Sequence, residues 1–277
     1  MLILSRHAGY KYSGSTAAWA YQALDLSKAK HVFLLGPSHV DYLSGCALST
    51  HSSYATVFGD IKLDQDIIKE LRATKKFSTW NTDSEMEEHS LEMHLPFIYK
   101  MLSRQFKSDI EYPMLIPIHV GGTSSAAERL YGQILAPYLA DPTSVFIVSS
   151  DFCHWGKRFK YTKYLPASSS DPVDYPPIHA TNPPIFESIG RLDRLSMDAI
   201  ESGKHQEFLS NISKTGNTVC GRHPIGVIMA ALEVLKQEGK ISGEDNGQFN
   251  FIHYERNEDV KDINGSSVSY ASAVAVL

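Results

Sequence analysis

Residues 145–156 read VFIVSSDFCHWG, an unbroken apolar run followed at once by an Asp, a Cys and a His. A short apolar run bounded by polar residues is typical of a strand that is buried on both faces of a sheet. In open α/β sheets, ligands bind beyond the carboxyl ends of such strands. Asp151, Cys153 and His154 therefore stand where functional side chains collect, and each can bind a metal or move a proton.

Similar runs alternate along the chain with segments of helical period, which predicts a three-layer α/β protein. Strands are predicted at 2–4, 31–35, 114–120, 144–150, 249–254 and 268–277, the last two as an antiparallel pair. Helices are predicted at 15–24, 63–74, 84–105, 124–140, 183–202 and 223–239. Ser15 and Ser84 are the predicted N-caps of two of them. The Pro- and Ser-rich stretch 165–184 predicts a surface loop or a lid.

Length and composition predict the class of protein. A chain of 277 residues with 43% hydrophobic content can form one compact domain over 1–277. Its net charge of −5 and scattered basic residues argue against a nucleic-acid partner. The chain has only three cysteines, an odd number, which argues against a disulfide framework. A reducing compartment is therefore expected, which is the cytoplasm and also the nucleus. A membrane span is not expected, because no stretch approaches about 20 apolar residues.

Three histidines follow strongly apolar runs, at positions 7, 39 and 154. Two neutral imidazoles and one anionic ligand can bind a divalent metal and leave coordination positions open. Cys220 precedes a predicted apolar helix, whose N-terminus would lower the pKa of the thiol and favour the thiolate. A small buried packing residue is the alternative interpretation of this cysteine.

Other residues near these histidines have possible roles. Asp151 lies three positions before His154 and could orient its imidazole as a general base. Tyr12 and Trp155 could form walls of a pocket for a flat ligand, although Trp155 could equally be a core residue. The segment MEEHSLEMHLPF at 86–97 lacks the H-E-x-x-H spacing of helical metalloproteases, so it predicts support for another site or an ordinary polar helix start.

Six segments together resemble the Memo family, the mediators of ErbB2-driven cell motility, in the same order and over essentially the whole chain. They are HAGY (7–10), LLGPSH (34–39), EEHSLEMHLPF (87–97), VSSDFCHWG (148–156), NTVCGRHPIGV (217–227) and SSVSYASA (266–273). The family is similar in fold to the class III extradiol, LigB-type, non-haem iron dioxygenases. The resemblance therefore implies an α/β/α sandwich around a mixed sheet.

The resemblance also implies a site. The family's metal-binding residues fall on His7, His39 and Cys220, and His154 is similar to the acid/base histidine of the dioxygenases. Those dioxygenases have a carboxylate at the position of Cys220, and a thiolate shifts metal preference toward copper(I), zinc or thiolate-ligated iron. The expected cofactor is a divalent or redox-active metal, iron or copper with zinc possible, and ring-cleaving activity is not expected.

Two functions follow from the resemblance. One is metal-dependent oxidoreduction on a small molecule or dioxygen, linked to cell motility and signalling. The alternative is a non-enzymatic adaptor, a relic of the dioxygenase fold, that binds phosphotyrosine-type peptides in the same cleft. The oligomeric state is not predicted.

The chain departs from the family pattern in two places. The segment that precedes the HAGY strand in the family is expected to be missing, and Arg6 stands where the family has Pro. If Arg6 points into the cleft, it would favour an anionic ligand; otherwise it is a surface side chain.

Overall fold

The computed structural model describes residues 1–175, 182–241 and 247–277. Strands β1 to β13 are Leu2–Ser5, His31–Pro37, Cys46–Leu48, Ser53–Thr56, Gly59–Lys62, Ser78–Thr79, Met114–Val120, Ser144–Ser149, His154–Trp155, Lys163–Tyr164, Val173–Asp174, Asn250–Arg256 and Ser267–Ala275. Helices α1 to α9 are Tyr10–Ala23, Gln65–Ala73, Thr82–Glu87, His89–Glu92, Leu95–Gln105, Ser125–Leu139, Ile185–Glu201, His205–Thr215 and Arg222–Gln237.

A large mixed sheet runs through the molecule in the order β12-β13-β1-β8-β2-β7-β3-β6, and β9 pairs with β13. The four central strands β1, β8, β2 and β7 are parallel, whereas β13 and β12 add antiparallel at one side and β3 pairs antiparallel with β7 at the other. The predicted antiparallel pair at the end of the chain is therefore confirmed.

The central strands form because their residues are apolar without interruption. Every residue of β1 and β8 is buried, as parallel strands covered on both faces require. Phe33 of β2 and Phe146 of β8 are register partners whose rings stack with centroids 4.4 Å apart. Both residues belong to the main hydrophobic core.

The helices pack in two groups that give the molecule its three layers. One group contains α1, α4 and α5, in which α1 contacts β1 and β13, α4 contacts β2, and α5 packs against α1 and α4. The other contains α6, α8 and α9, with α6 and α9 packed together over β8. The α/β/α sandwich around a mixed sheet is the fold that the sequence predicted. Within the described residues, no helix is long and apolar enough to cross a bilayer.

The predicted continuous helix at 84–105 is wrong. Glu88 has an extended backbone (φ −81°, ψ 120°), and its carboxylate accepts a hydrogen bond from the Ser90 backbone N–H, which begins a new helix. A second interruption at Met93 and His94 precedes α5. The segment is thus three helices, and at the first break the Glu88 carboxylate satisfies a backbone N–H at the start of the next helix.

Both predicted serine caps are also wrong. The first helix begins at Tyr10 rather than Ser15, and Ser84 lies inside α3, whose cap is Asn81. The helix α8 and the short strands β3 to β6 and β9 to β11 were not predicted. Of the predicted loop 165–184, residues 176–181 lie outside the described part of the chain.

Removing the central aromatic pair tests the core. Phe146→Ala should lower the free energy of unfolding by about 3–5 kcal/mol, because it leaves a cavity against Phe33. Phe58→Ala is the matched control, since that ring is 57% exposed. Urea denaturation measures both variants. Equal losses of stability in the two variants would contradict the position of Phe146 in the core.

Candidate functional site

Three neighbouring parallel strands end at the same edge of the sheet, and the residues that follow them in the chain come together there. His7, Asp151 and His39 each lie two residues beyond the end of their strand, β1, β8 and β2 respectively. Because Ser5 and Ser149 are register partners at the ends of β1 and β8, the chain leaves the sheet at the same level in both strands. This edge is where the sequence predicted a site.

His7 is held at both ring nitrogens. Its Nδ1 lies 2.6 Å from Ser149 Oγ, and its Nε2 lies 3.2 Å from Cys220 Sγ. Burial lowers the pKa of His7 well below its ordinary value, and the neighbouring charges of His39 and His89 lower it further. His7 is therefore a neutral imidazole, which is the form that binds metals.

A buried hydrogen-bond chain fixes which nitrogen of His7 carries the proton. Ser149 Oγ donates to Ser90 O at 2.8 Å, so it can only accept from His7 Nδ1 and from His94 Nε2 at 2.9 Å. His94 Nδ1 then accepts from Tyr21 Oη at 2.7 Å. Neutral His7 with its proton on Nδ1 has a free lone pair on Nε2, directed toward Cys220.

His39 is oriented by a buried carboxylate. Glu88 Oε1 accepts from His39 Nδ1 at 3.1 Å, and the same carboxylate accepts backbone N–H groups of His39, Val40 and Ser90. Burial alone would raise the pKa of Glu88, but these hydrogen bonds lower it far more. Glu88 is thus ionised, and it leaves His39 Nε2 free as a potential ligand, as carboxylates do for histidines in metal sites.

Cys220 enters the site through a close backbone approach. A Cβ atom on the next residue, Gly221, would lie 2.3 Å from Ser149 O, so only glycine lets this loop approach β8 closely. The prediction that a helix N-terminus lowers the thiol pKa is wrong. Burial and the nearby charge of Asp151 raise the pKa of Cys220 instead.

The predicted pairing of Asp151 with His154 is not found. Its Oδ1 accepts the backbone N–H groups of His7 at 3.0 Å and Ala8 at 3.3 Å. The ring of His154 is held through Nδ1 by two backbone carbonyl oxygens, Phe152 O at 2.9 Å and Thr218 O at 3.2 Å. Asp151 therefore positions the loop that carries His7. A positive charge on His154 would also lower the pKa of His7.

Potential ligand atoms form two groups among the described residues. His7, His39 and His89 make one group, and His7, Asp151 and Cys220 make the other, with all ligand atoms of a group within 4.8 Å of one another. The predicted ligands His39 and Cys220 thus belong to different groups that share His7. His89 stacks on His39 with ring centroids 4.8 Å apart.

Of the three predicted ligand-contacting residues, the structure buries two. Trp155 is fully buried, and its Nε1 donates to Lys163 O at 2.8 Å, so it is a core residue and not a wall of the cleft. Arg6 is 1% exposed, with its guanidinium 5.7 Å from the ring centroid of Phe97, so it is neither in the cleft nor on the surface. Tyr12, in the first turn of α1, is 56% exposed.

Four residues of the site had no individual role in the sequence prediction, namely Glu88, His89, His94 and Ser149, although the segment that holds the first three was predicted either to support another site or to be a polar helix start. Three of them belong to the EEHSLEMH segment, whose density of carboxylates and imidazoles was the available signal. A continuous helix would have placed those residues on different faces, and the break at Glu88 brings them to one edge of the sheet.

Comparisons with known proteins agree along the whole chain. The Memo family, described as Memo-like protein, matches residues 1–274. The memo-1 homolog of Caenorhabditis elegans is 40% identical over 272 residues, which cover 98% of this chain and 71% of the relative. The MEMO1 proteins of Xenopus laevis (over 275 residues, 99% of this chain and 85% of the relative) and Homo sapiens (over 270 residues, 98% and 83%) are each 39% identical.

A solved structure is also similar. It is the uncharacterized protein JW3007 from Escherichia coli K12, with a TM-score of 0.53 and 10% identity over 97% of this chain and 98% of that chain. At this identity, the likeness concerns the fold alone.

The buried neutral state of His94 predicts a dependence of stability on pH. Its pKa is lowered in the folded protein by burial and by the charges of His7 and Arg6, so below about pH 6.5 the unfolded chain binds a proton that the folded protein resists. Stability is therefore lost as the pH falls. The difference in free energy of unfolding between the unmutated protein and the variant His94→Gln should narrow by up to about 2 kcal/mol from pH 7 to pH 5. Urea denaturation in the presence of a chelator, at pH 7 and at pH 5, measures this difference. A difference that does not change with pH would contradict the conclusion that buried His94 is neutral.

Proposed function

The chain belongs to the Memo-like protein family, and we propose that its cleft at the ends of β1, β8 and β2 binds a redox-active metal for oxidoreduction of a small molecule or dioxygen. Iron and copper are the proposed metals, and zinc also suits the ligands. The role in cell motility and signalling that the family resemblance implies is part of the same proposal.

The orientation of two imidazoles is the observation that supports this proposal. His7 Nδ1 is bound to Ser149 and His39 Nδ1 to Glu88, so each ring directs a free Nε2 lone pair into the cleft. The Cys220 sulfur lies 3.2 Å from one of these nitrogens. Two imidazoles and a sulfur are ligands that copper, zinc and iron accept. The residues present therefore fit a metal.

We propose His7, His39 and Cys220 as the metal ligands, with His89 and Asp151 next to them. A bound iron or copper would supply one-electron exchange. The raised pKa of Cys220 does not oppose this, because metal coordination deprotonates a thiol. A carboxylate at this ligand position is what the ring-cleaving dioxygenases use, so the proposed chemistry is redox but not ring cleavage.

The chain's own residues would prepare the site. The Ser149 and Glu88 hydrogen bonds hold the two imidazoles before any ligand arrives, which limits the entropy lost on binding. His154 is the proposed proton donor or acceptor, with its ring fixed by backbone carbonyls. A cavity of about 290 Å³ lined by His39, Cys220 and Arg222 gives a small substrate access.

Metal content tests the proposal. Protein purified without chelators should contain close to one equivalent of iron, copper or zinc, and Cys220→Ala and His7→Ala should each lose most of it. Cys153→Ala is the matched control, because that thiol is fully buried in a separate core cluster and should leave the metal content unchanged. Elemental analysis that finds none of the three metals in any form would reject the site.

The adaptor function has one observation in its favour. Arg222 is exposed at the wall of the cavity that also contains His39 and Cys220. A guanidinium recognises phosphate oxygens in pairs. A phosphotyrosine-type peptide could therefore place its phosphate in the proposed metal cleft.

Peptide titration tests this second candidate. A phosphotyrosine peptide should bind at least about tenfold more tightly than its unphosphorylated form, and Arg222→Gln should remove that difference. Arg104→Gln, on the exposed end of α5, is the control with the same change of charge. If added metal displaces the peptide, the two occupy one site. Equal affinity for both peptides would reject the adaptor function.

A further inference from the structure

A second polar cavity, of about 250 Å³, lies close to the candidate metal cleft. Glu88 lines this cavity and also binds His39, so it stands between the two. Its other polar lining residues include His51, Tyr54, Glu85 and His119. The proposed function uses none of these four residues.

His119 is a buried imidazole without hydrogen bonds. It is the penultimate residue of β7 and is 1% exposed. Its ring stacks on Trp80, with ring centroids 4.5 Å apart and an angle of 2° between the ring planes. Neither ring nitrogen has a hydrogen-bond partner in the described part of the chain. Buried polar groups that lack partners are costly and rare, so this one indicates a ligand or water that completes it.

Glu85 supplies a buried negative charge beside this imidazole. It is 8% exposed. Burial raises its pKa, but the polar groups of His119, Tyr54 and Ser49 lower it below the ordinary value, so it is a carboxylate. Its Oε2 has no hydrogen-bond partner among the described residues. A cationic ligand with N–H donors would satisfy this oxygen.

The arrangement suits an organic cation better than a metal ion. His51 Nε2 lies 3.5 Å from Oε2 of Glu85, whereas His119 Nε2 lies 3.7 Å from Oε1. The two imidazoles thus approach different oxygens of the carboxylate. Within the described ranges, the groups of mutually close metal-ligand atoms both contain His7 instead. An ammonium group has donors in several directions and can reach acceptors that are spread around a cavity.

An apolar cavity continues from the polar one. It measures about 840 Å³ and shares Ala55, Glu92 and Leu95 with the polar cavity. Its walls are mostly apolar, and they include Val57 and Phe58, which are 86% and 57% exposed. Exposed apolar side chains around a concave surface are typical of a ligand site.

We propose that these two cavities form one groove that binds a small organic amine. The ammonium group lies against Glu85 and His119, and the apolar or aromatic body lies over Phe58 and Pro96. This amine groove is separate from the metal cleft and does not depend on a bound metal.

Calorimetric titration with 2-phenylethylamine and with its neutral counterpart 2-phenylethanol tests the amine groove. The amine should bind at least about tenfold more tightly than the alcohol, because Glu85 Oε1 accepts from Tyr54 while Oε2 accepts no hydrogen bond among the described residues, and a charged donor satisfies that oxygen better than a neutral one. Glu85→Gln should remove this preference. Glu87→Gln is the matched control, since that side chain is exposed on the same helix and should change the affinity by less than about twofold.

A second variant tests the groove without changing Glu85, so a folding defect of Glu85→Gln would not affect the result. Ala55 is exposed on β4 where the two cavities meet, so Ala55→Trp should block the groove and abolish amine binding while the protein stays folded by circular dichroism. Amine binding should be unchanged in chelator and in Cys220→Ala, so a failure of the metal proposal would leave this result standing. Equal affinity for amine and alcohol, no saturable amine binding, or full binding by Ala55→Trp would each overturn the inference.

Discussion

The parallel pairing of β8 with β1 on one side and β2 on the other is the constraint on which the candidate metal cleft depends. It places Ser149 between the loops that carry His7 and His39. A shift of one residue in either register would turn Ser149 to the opposite face of the sheet and remove the acceptor of His7 Nδ1. The stacked rings of Phe33 and Phe146 fill the core below this edge and support that register.

Burial gives the cleft its electrostatic character. It lowers the pKa of His7 and His94 and raises the pKa of Asp151 and Cys220, so each shift favours the neutral form. Glu88 is the exception, because the N–H groups around its oxygens stabilise the charge. With its imidazoles already neutral, the proposed metal site would bind a cation without first releasing a proton from its histidines.

Glu88 also relates the two proposed sites. Its hydrogen bonds to His39 and to three backbone N–H groups occupy the carboxylate fully and hold it in one position. The amine groove and the metal cleft therefore share a rigid wall. Glu85 and Glu88 both line the polar end of the amine groove, and their negative charges give that end a negative potential.

The sequence by itself determined the fold class and the edge of the sheet where function is expected. Continuous apolar runs such as 31–35 and 144–150 predict buried parallel strands, and residues directly after them must lie at the carboxyl edge. His7 and His39 were found in this way. His119 was part of a predicted strand, so its position near the end of β7 was also readable from the sequence.

Only the tertiary structure decided which side chains meet there. The break at Glu88, the role of Asp151 at the His7 backbone, the raised pKa of Cys220 and the burial of Arg6 and Trp155 all depend on partners that are distant along the chain. The local pattern of apolar residues predicts whether a segment forms a helix or a strand. Burial and hydrogen bonding depend on what other segments place around it, and no local pattern contains that information.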